Sequence, residues 1–262
     1  MKLLWKGIKD IVNLKPSSAD TISHLTDQTG SQIKDQSKIA NEFNHFFTNV
    51  ANDITKNLPR TPKSPLSYLS NPNLESFFIS PCTSDEVSTV IQSLKNGKSC
   101  GPNSIPIKLM KILDSHVSVH LATLINESFE TGIFPDKLKI AKVIPVFKKG
   151  LTTKKSNYRP ISLLSIFSKI FEKIMYKRLY GFLEVHELLF NMQFGFRTGH
   201  STDHALVSLT ENIKSSLDNN RFGCGIFVDL QKAFDTVNHD ILLHKLEHYG
   251  IRGIALNSVN HT

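Results

Sequence analysis

Between residues 35 and 57, Ile39, Phe43, Phe46, Phe47, Val50 and Ile54 recur at helical spacing, which predicts a helix with one apolar face that must pack on something. Pro59, Pro62, Pro65 and Pro72, with serines and asparagines between them, then break the pattern and read as an extended linker. A boundary is expected near residue 75, with a helix-rich segment over 1–75 and the main domain over 76–262. Thr83-Ser84-Asp85-Glu86 has the spacing of a capping box, and Val87, Val90, Ile91 and Leu94 share a face behind it. That predicts a short helix ending at Asn96-Gly97. Lys98 to Pro106 is turn chemistry, and Val117, Leu121, Leu124, Ile125 and Phe129 mark a further helix closed by Gly132.

Ala141 to Phe147 is rich in β-branched residues and is followed by a basic turn, so a strand is expected there; Pro145 inside it requires an edge position or a bulge. Leu163, Leu164, Phe167, Ile170, Phe171, Ile174 and Met175 predict a strongly amphipathic helix of several turns. Two more helices are expected over Ser201–Leu217 and Ile241–Tyr249, the second stopped by Gly250. Gly225 to Leu230 is a short apolar run, read as a buried strand ending on the carboxylate of Asp229. Residues 250–262 show neither a capped helix nor a closing strand, so the chain is expected to stop abruptly. No internal repeat or low-complexity tract interrupts this order.

Composition narrows the picture only in places. A chain of 262 residues with 40% hydrophobic content can build one good core. The net charge of +8 makes an acidic partner plausible, a nucleic-acid backbone first, although a lysine-rich surface alone would give the same figure. Cys82, Cys100 and Cys224 form no C-x-x-C pair, so no disulfide framework or cysteine-rich zinc site is indicated, and a reducing, intracellular compartment fits. No apolar stretch reaches the roughly 18 to 20 residues that would span a bilayer, and the N-terminal run MKLLWKGIKDIV is interrupted by charge; no membrane association is expected.

Four groups of residues carry candidate chemistry. Asp229 at the end of an apolar run would need a metal or a basic partner if buried, with Asp235 six residues on; capping of the next helix explains either aspartate equally well. Lys148, Lys149, Lys154, Lys155 and Arg159 lie in or just after a turn and could grip phosphates, Arg159 above all because it sits between Tyr158 and Pro160. Gln193-Phe194-Gly195-Phe196-Arg197 pairs aromatic and guanidinium planes with a close backbone, as stacking on nucleotides requires, while Phe194 suits the core and Ser201 suits a helix N-cap. His244-Lys245-Leu246-Glu247-His248 has the H-x-x-E-H spacing of inverted zinc peptidases. It shows no third ligand, and its helix is expected to bury Leu242, Leu246 and Tyr249.

NYRPISLL at 157–164, QFGFRTGHST at 193–202 and FVDLQKAFDTVNHDILLHKLEHYGIRG at 227–253 resemble, in this order, the reverse transcriptases of non-LTR retrotransposons, the long-interspersed-element class. The resemblance covers roughly residues 80–253. It implies an α+β fold, an incomplete right-hand polymerase made of fingers plus the first palm strand and the helix after it. It further implies an RNA template, a DNA primer, deoxynucleoside triphosphates and Mg²⁺ as partners. Asp229 then matches the first catalytic aspartate and would ligate the magnesium ions. Phe234 matches the bulky residue under the sugar, Lys148 and Arg159 the fingers residues that hold the triphosphate, and Gln193, Gly195, Phe196 and Arg197 the motif that lines the nucleotide and template pocket. The Ile39–Ile54 region resembles the segment that joins endonuclease to polymerase in full-length elements. The family's Tyr-x-Asp-Asp hairpin is not found before Thr262, so the resemblance implies a truncated copy that does not polymerise by itself; a non-catalytic RNA-binding remnant is the alternative.

Overall fold

Asp35 accepts a hydrogen bond from the Lys38 amide and so caps α1 (Gln36–Thr55), whose Ile39, Phe43 and Val50 are buried. The computed structural model describes residues 22–27, 29–56, 58, 63–69 and 71–260. The N-terminal run at 1–12, Pro59, Pro62 and Thr262 lie outside the described residues. Two short strands, β1 (Leu25–Thr26) and β2 (Gln32–Ile33), pair antiparallel just ahead of α1.

The strand expected over 141–147 forms as β3 (Lys142–Phe147) and pairs antiparallel with β4 (Tyr158–Leu163), in a register running from Lys142 opposite Leu163 to Phe147 opposite Tyr158. Pro145 falls opposite Pro160. The Lys148 amide donates to the Asn157 carbonyl, and bonded and non-bonded pairs alternate along such a ladder. The two prolines therefore occupy a pair that needs no inward amide, which is how both fit in a sheet of two edge strands. Leu163, expected to open the following helix, instead ends β4, and that helix, α6 (Ile166–Val185), starts three residues later.

The main core gathers α2 (Ser84–Ser93), α3 (Ile107–Ile112), α4 (Asp114–Thr131), α5 (Asp136–Lys139) and the first half of α6. Thr83 caps α2 through the Glu86 amide, and Gly132 closes α4 in the left-handed region at φ 72°. α2 ends at Ser93, short of the expected Asn96-Gly97, because Leu94 leaves the helix for extended backbone to enter the core. Val87, Ile91, Ile170 and Ile174 have no exposure at all, and the Phe171 ring meets Phe129 and Phe134 edge-on at 5.4 and 4.8 Å. Gly101 brings the preceding turn onto the start of α6: a Cβ there would lie 2.3 Å from the Leu164 carbonyl oxygen.

After this core come α7 (Thr202–Asp218), α8 (His239–His248) and α9 (Ile254–Asn260). α9 was not expected; Ala255 and Ser258 are buried on it, next to fully buried Ile251. Gly250 ends α8 as predicted, and its carbonyl accepts from the Phe77 amide. The strand expected over 225–230 does not form. No strand lies beside it among the described residues, so its amides and carbonyls have no ladder to join, and Ile226, Phe227, Val228 and Leu230 are exposed. The fold is thus α+β, mainly helical, with two small antiparallel sheets among the described residues. It divides into two compact units, one comprising residues up to Arg178 with Phe234 onward, the other Leu179–Ala233.

Candidate nucleic-acid interface

In the first unit the turn of the β3–β4 hairpin is fixed from several sides. Gly150 takes a φ of 92°, the Asn157 side-chain amide donates to the Leu151 carbonyl at 2.9 Å, and the Tyr158 hydroxyl donates to the Thr152 carbonyl at 2.6 Å. Tyr158 is buried against Phe43 of α1, ring edge to face at 5.0 Å, and burial pushes its phenol pKa up. Leu25, Ile39 and Phe43 complete this small core, and the Thr26 amide donates to Thr153. The N-terminal segment is therefore the base on which the hairpin sits.

The five cations of this turn divide in two. Lys155 reaches back to Glu42 of α1 at 2.6 Å and lies 5.9 Å from the centre of the Phe46 ring, so it ties the turn to α1. Lys148, Lys149, Lys154 and Arg159 are exposed and form no ion pair among the described residues. A cation without a protein carboxylate keeps its full charge for a phosphate, and no pair has to break first. Nothing in the sequence separated Lys155 from the other four.

Phe234 also belongs to the first unit and is 78% exposed. Asp235 borders a groove of about 760 Å³ between α1 and the hairpin, lined by Ile39, Phe43, Val143, Ile144 and Pro160 among others. On α8, Asn238 provides the N-cap, accepting from the Ile241 amide, so neither aspartate has the capping role weighed for it. Leu242 is exposed, against expectation, while Leu246 and Tyr249 are half-buried. His244, Glu247 and His248 edge a cavity of about 390 Å³ with Arg252. No three His, Cys, Asp or Glu side chains converge as a metal site among the described residues, so the zinc reading lacks its third ligand.

The second unit holds the QFGFR segment. Gln193 donates through its side chain to the Gly195 carbonyl at 3.1 Å, and Phe196, 85% exposed, takes a φ of 60°. Arg197 makes a two-point pair with Glu184 at the end of α6, Nε to Oε1 and a terminal nitrogen to Oε2, both at 3.0 Å. Its other terminal nitrogen donates to the Phe190 carbonyl. The Tyr180 hydroxyl donates to Glu184 at 2.5 Å and accepts from the Thr198 amide at 2.9 Å. Arg197 first, and Tyr180 second, hold the Glu184 carboxyl down at about 2. Ser201 caps α7 through the His204 amide, as expected, and Phe194 is half-buried beside His200. Neither Tyr180 nor Glu184 was singled out from sequence; both lie on one face of α6 four residues apart, but a face reading shows no partner 13 residues on.

Asp229 stands in the same unit on an exposed stretch without regular structure, not at a buried strand end. The Mg²⁺ ions that the resemblance implies need several carboxylate oxygens around each pair of ions. The described residues do not offer such a set, so they do not fit two Mg²⁺ ions. No described helix is long and apolar enough to cross a membrane.

A sequence profile of the family described as reverse transcriptase (RNA-dependent DNA polymerase) matches residues 146–260. The chain is 33% identical over 223 residues to the probable RNA-directed DNA polymerase from transposon BS of Drosophila melanogaster, over 83% of this chain and 24% of that protein. It is 33% identical over 179 residues to the RNA-directed DNA polymerase from mobile element jockey of the same species, over 68% and 20%. A third relative, the putative 115 kDa protein in type-1 retrotransposable element R1DM, is 33% identical over 176 residues. The chain spans about a quarter or less of the length of these relatives.

Proposed function

Residues 146–260 of this chain belong to the reverse transcriptases of non-LTR retrotransposons, and from that premise we propose that they contribute side chains that hold nucleotide and template to an RNA-directed DNA polymerase. The observation that carries this is the hairpin whose Lys148, Lys149, Lys154 and Arg159 are exposed without an ion pair among the described residues. In this reading residues 76–262 are part of a right-hand polymerase, fingers and the beginning of the palm, and 1–75 lie upstream of it. Lys148 and Arg159 hold the triphosphate, Gln193 and Gly195 line the nucleotide pocket, Phe196 stacks on the template, and Phe234 lies under the sugar. Asp229 supplies one catalytic carboxylate. Its partners are an RNA template, a DNA primer and deoxynucleoside triphosphates, in an intracellular setting.

A second reading, RNA binding without catalysis by these residues, is favoured by the exposed position of Asp229 away from any carboxylate cluster. One titration bears on both. Without triphosphate present, all four cations are open to phosphates of a single strand, so log affinity for RNA should fall with log salt at a slope of about −3, and Lys148→Ala with Arg159→Ala together should flatten it by about 1.4. A flat dependence in the unsubstituted chain refutes both readings. Primer extension with Mg²⁺ and deoxynucleotides separates them: extension abolished by Asp229→Ala excludes the second.

A further inference from the structure

We infer that Arg197 is the anchor of the 190–198 loop rather than a template contact, and that Glu184 and Tyr180 are the positioning residues that fix where Phe196 is presented. The inference rests on the polymerase reading above and departs from the pocket-lining role that the resemblance implies for Arg197.

Arg197 has little left to offer a phosphate. All three guanidinium nitrogens already donate, two to the Glu184 carboxylate and one to the Phe190 carbonyl, and its side chain is only 12% exposed. Taking it to a phosphate would break a two-point ion pair and leave Glu184 facing an incoming polyanion. The hairpin cations carry no such cost.

What the pair does instead is visible one residue earlier. Phe196 sits in the left-handed region at φ 60°, a conformation that bulky side chains rarely adopt and that persists only where the surroundings over-determine it. Those surroundings are the Arg197 pair on one side and the Gln193 bond to the Gly195 carbonyl on the other. Through its hydroxyl, Tyr180 adds the Thr198 amide to the same carboxylate. One carboxylate on a rigid helix thus fixes the loop directly at residue 197, through Arg197 at residue 190, and through Tyr180 at residue 198. The outcome is a phenylalanine 85% exposed on a loop held at residues 190, 197 and 198, the arrangement stacking on a base requires.

Two measurements on the full chain test this. In hydrogen exchange without RNA, Glu184→Ala and Arg197→Lys should each raise exchange over 190–198 at least tenfold while the first turns of α6 stay protected; Glu184→Gln, which keeps one acceptor, should raise it less. In anisotropy titrations with a labelled single-stranded oligouridine, Arg197→Ala, Arg197→Lys, Glu184→Ala and Phe196→Ala should weaken binding about equally, on the order of tenfold for one lost stacking contact, with the salt slope unchanged. Glu184→Ala combined with Phe196→Ala should be no weaker than Phe196→Ala alone. A phosphate contact gives the opposite pattern: Arg197→Ala lowers the slope by about 0.7, Arg197→Lys retains binding, and removing Glu184 tightens it. That pattern, or unchanged exchange over 190–198, overturns the inference. If the unsubstituted chain does not bind oligouridine at all, the polymerase reading fails, and the exchange experiment still decides the anchor.

Discussion

Replacing Arg178 by alanine removes a polar junction at the edge of the main core. Its guanidinium donates to Glu86 Oε2 at 2.8 Å and Oε1 at 3.2 Å, to the Ser80 carbonyl at 2.6 Å, to the Pro81 carbonyl at 3.0 Å and to the Ile174 carbonyl at 3.2 Å, and it lies 5.6 Å from the centre of the Phe129 ring. The side chain is 9% exposed and that of Glu86 19%. Breaking a fully buried ion pair from one side costs about 3–5 kcal/mol, since the remaining charge loses its partner, and this pair is mostly but not wholly buried. Lys177 still reaches Glu86 at 3.3 Å but is 73% exposed and offsets little. The lower end, about 3 kcal/mol, is therefore expected, enough to move a urea midpoint by about 1 M at an m-value near 3 kcal/mol/M. Glu86→Gln keeps one acceptor and should cost about half as much. Arg178→Met with Glu86→Leu should cost at least about 1 kcal/mol less than the sum of the two single losses, because neither charge is then stranded. Arg178, ahead of Lys177, holds the Glu86 carboxyl below its ordinary 4.5, so its contribution is full above that value and fades as pH falls below it. Urea titrations followed by far-ultraviolet circular dichroism at neutral and acid pH measure all of this. A loss under about 0.5 kcal/mol for Arg178→Ala, or strict additivity, would refute the account.

Two further outcomes follow from single close contacts. Gly101→Ala would place a methyl 2.3 Å from the Leu164 carbonyl oxygen and 2.6 Å from the Ser165 nitrogen, both backbone, so the turn and the start of α6 must move apart; about 2 kcal/mol or more of stability should be lost, and an unchanged melting temperature would contradict it. The Glu184 carboxyl, held at about 2 by Arg197 and Tyr180, should keep the 190–198 loop ordered as pH falls through 4.5 and release it only toward 2. Pepsin cleavage in that loop is then slow at about pH 3 and fast in Glu184→Ala, whereas equal rates in the two proteins would count against the shift.

Elements that announce themselves through local chemistry were legible in the sequence, because the same few residues both signal and make the structure. The Thr83 cap, the Gly132 stop, the Ser201 cap and the apolar face of α1 each work within one or two turns of chain. β4 failed this test: Tyr158–Leu163 runs without a break into the apolar start of α6, and only pairing with β3 makes it a strand. Residues 225–230 show the converse, an apolar run of strand composition that stays irregular where no ladder lies beside it. α9 likewise rests on a distant contact, since its Ile254 lies against Gly132 at the end of α4, about 120 residues away.

The candidate interface divides along the same line, between what a residue type declares and what only a distant partner decides. Lys148 and Lys155 are chemically identical and seven residues apart, yet Lys155 is paired with Glu42, 113 residues away, and Lys148 has no such partner among the described residues. Arg159 and Arg197 stand in the same relation: each lies in a motif that the resemblance assigns to nucleotide or template, but Glu184 has already claimed Arg197. A basic motif therefore says that a cation belongs to this surface, and its carboxylate neighbours say whether it meets the ligand or holds the loop that does. That division makes the salt slope the decisive measurement, since a cation held by a carboxylate releases no counterion when RNA binds and one facing solvent does.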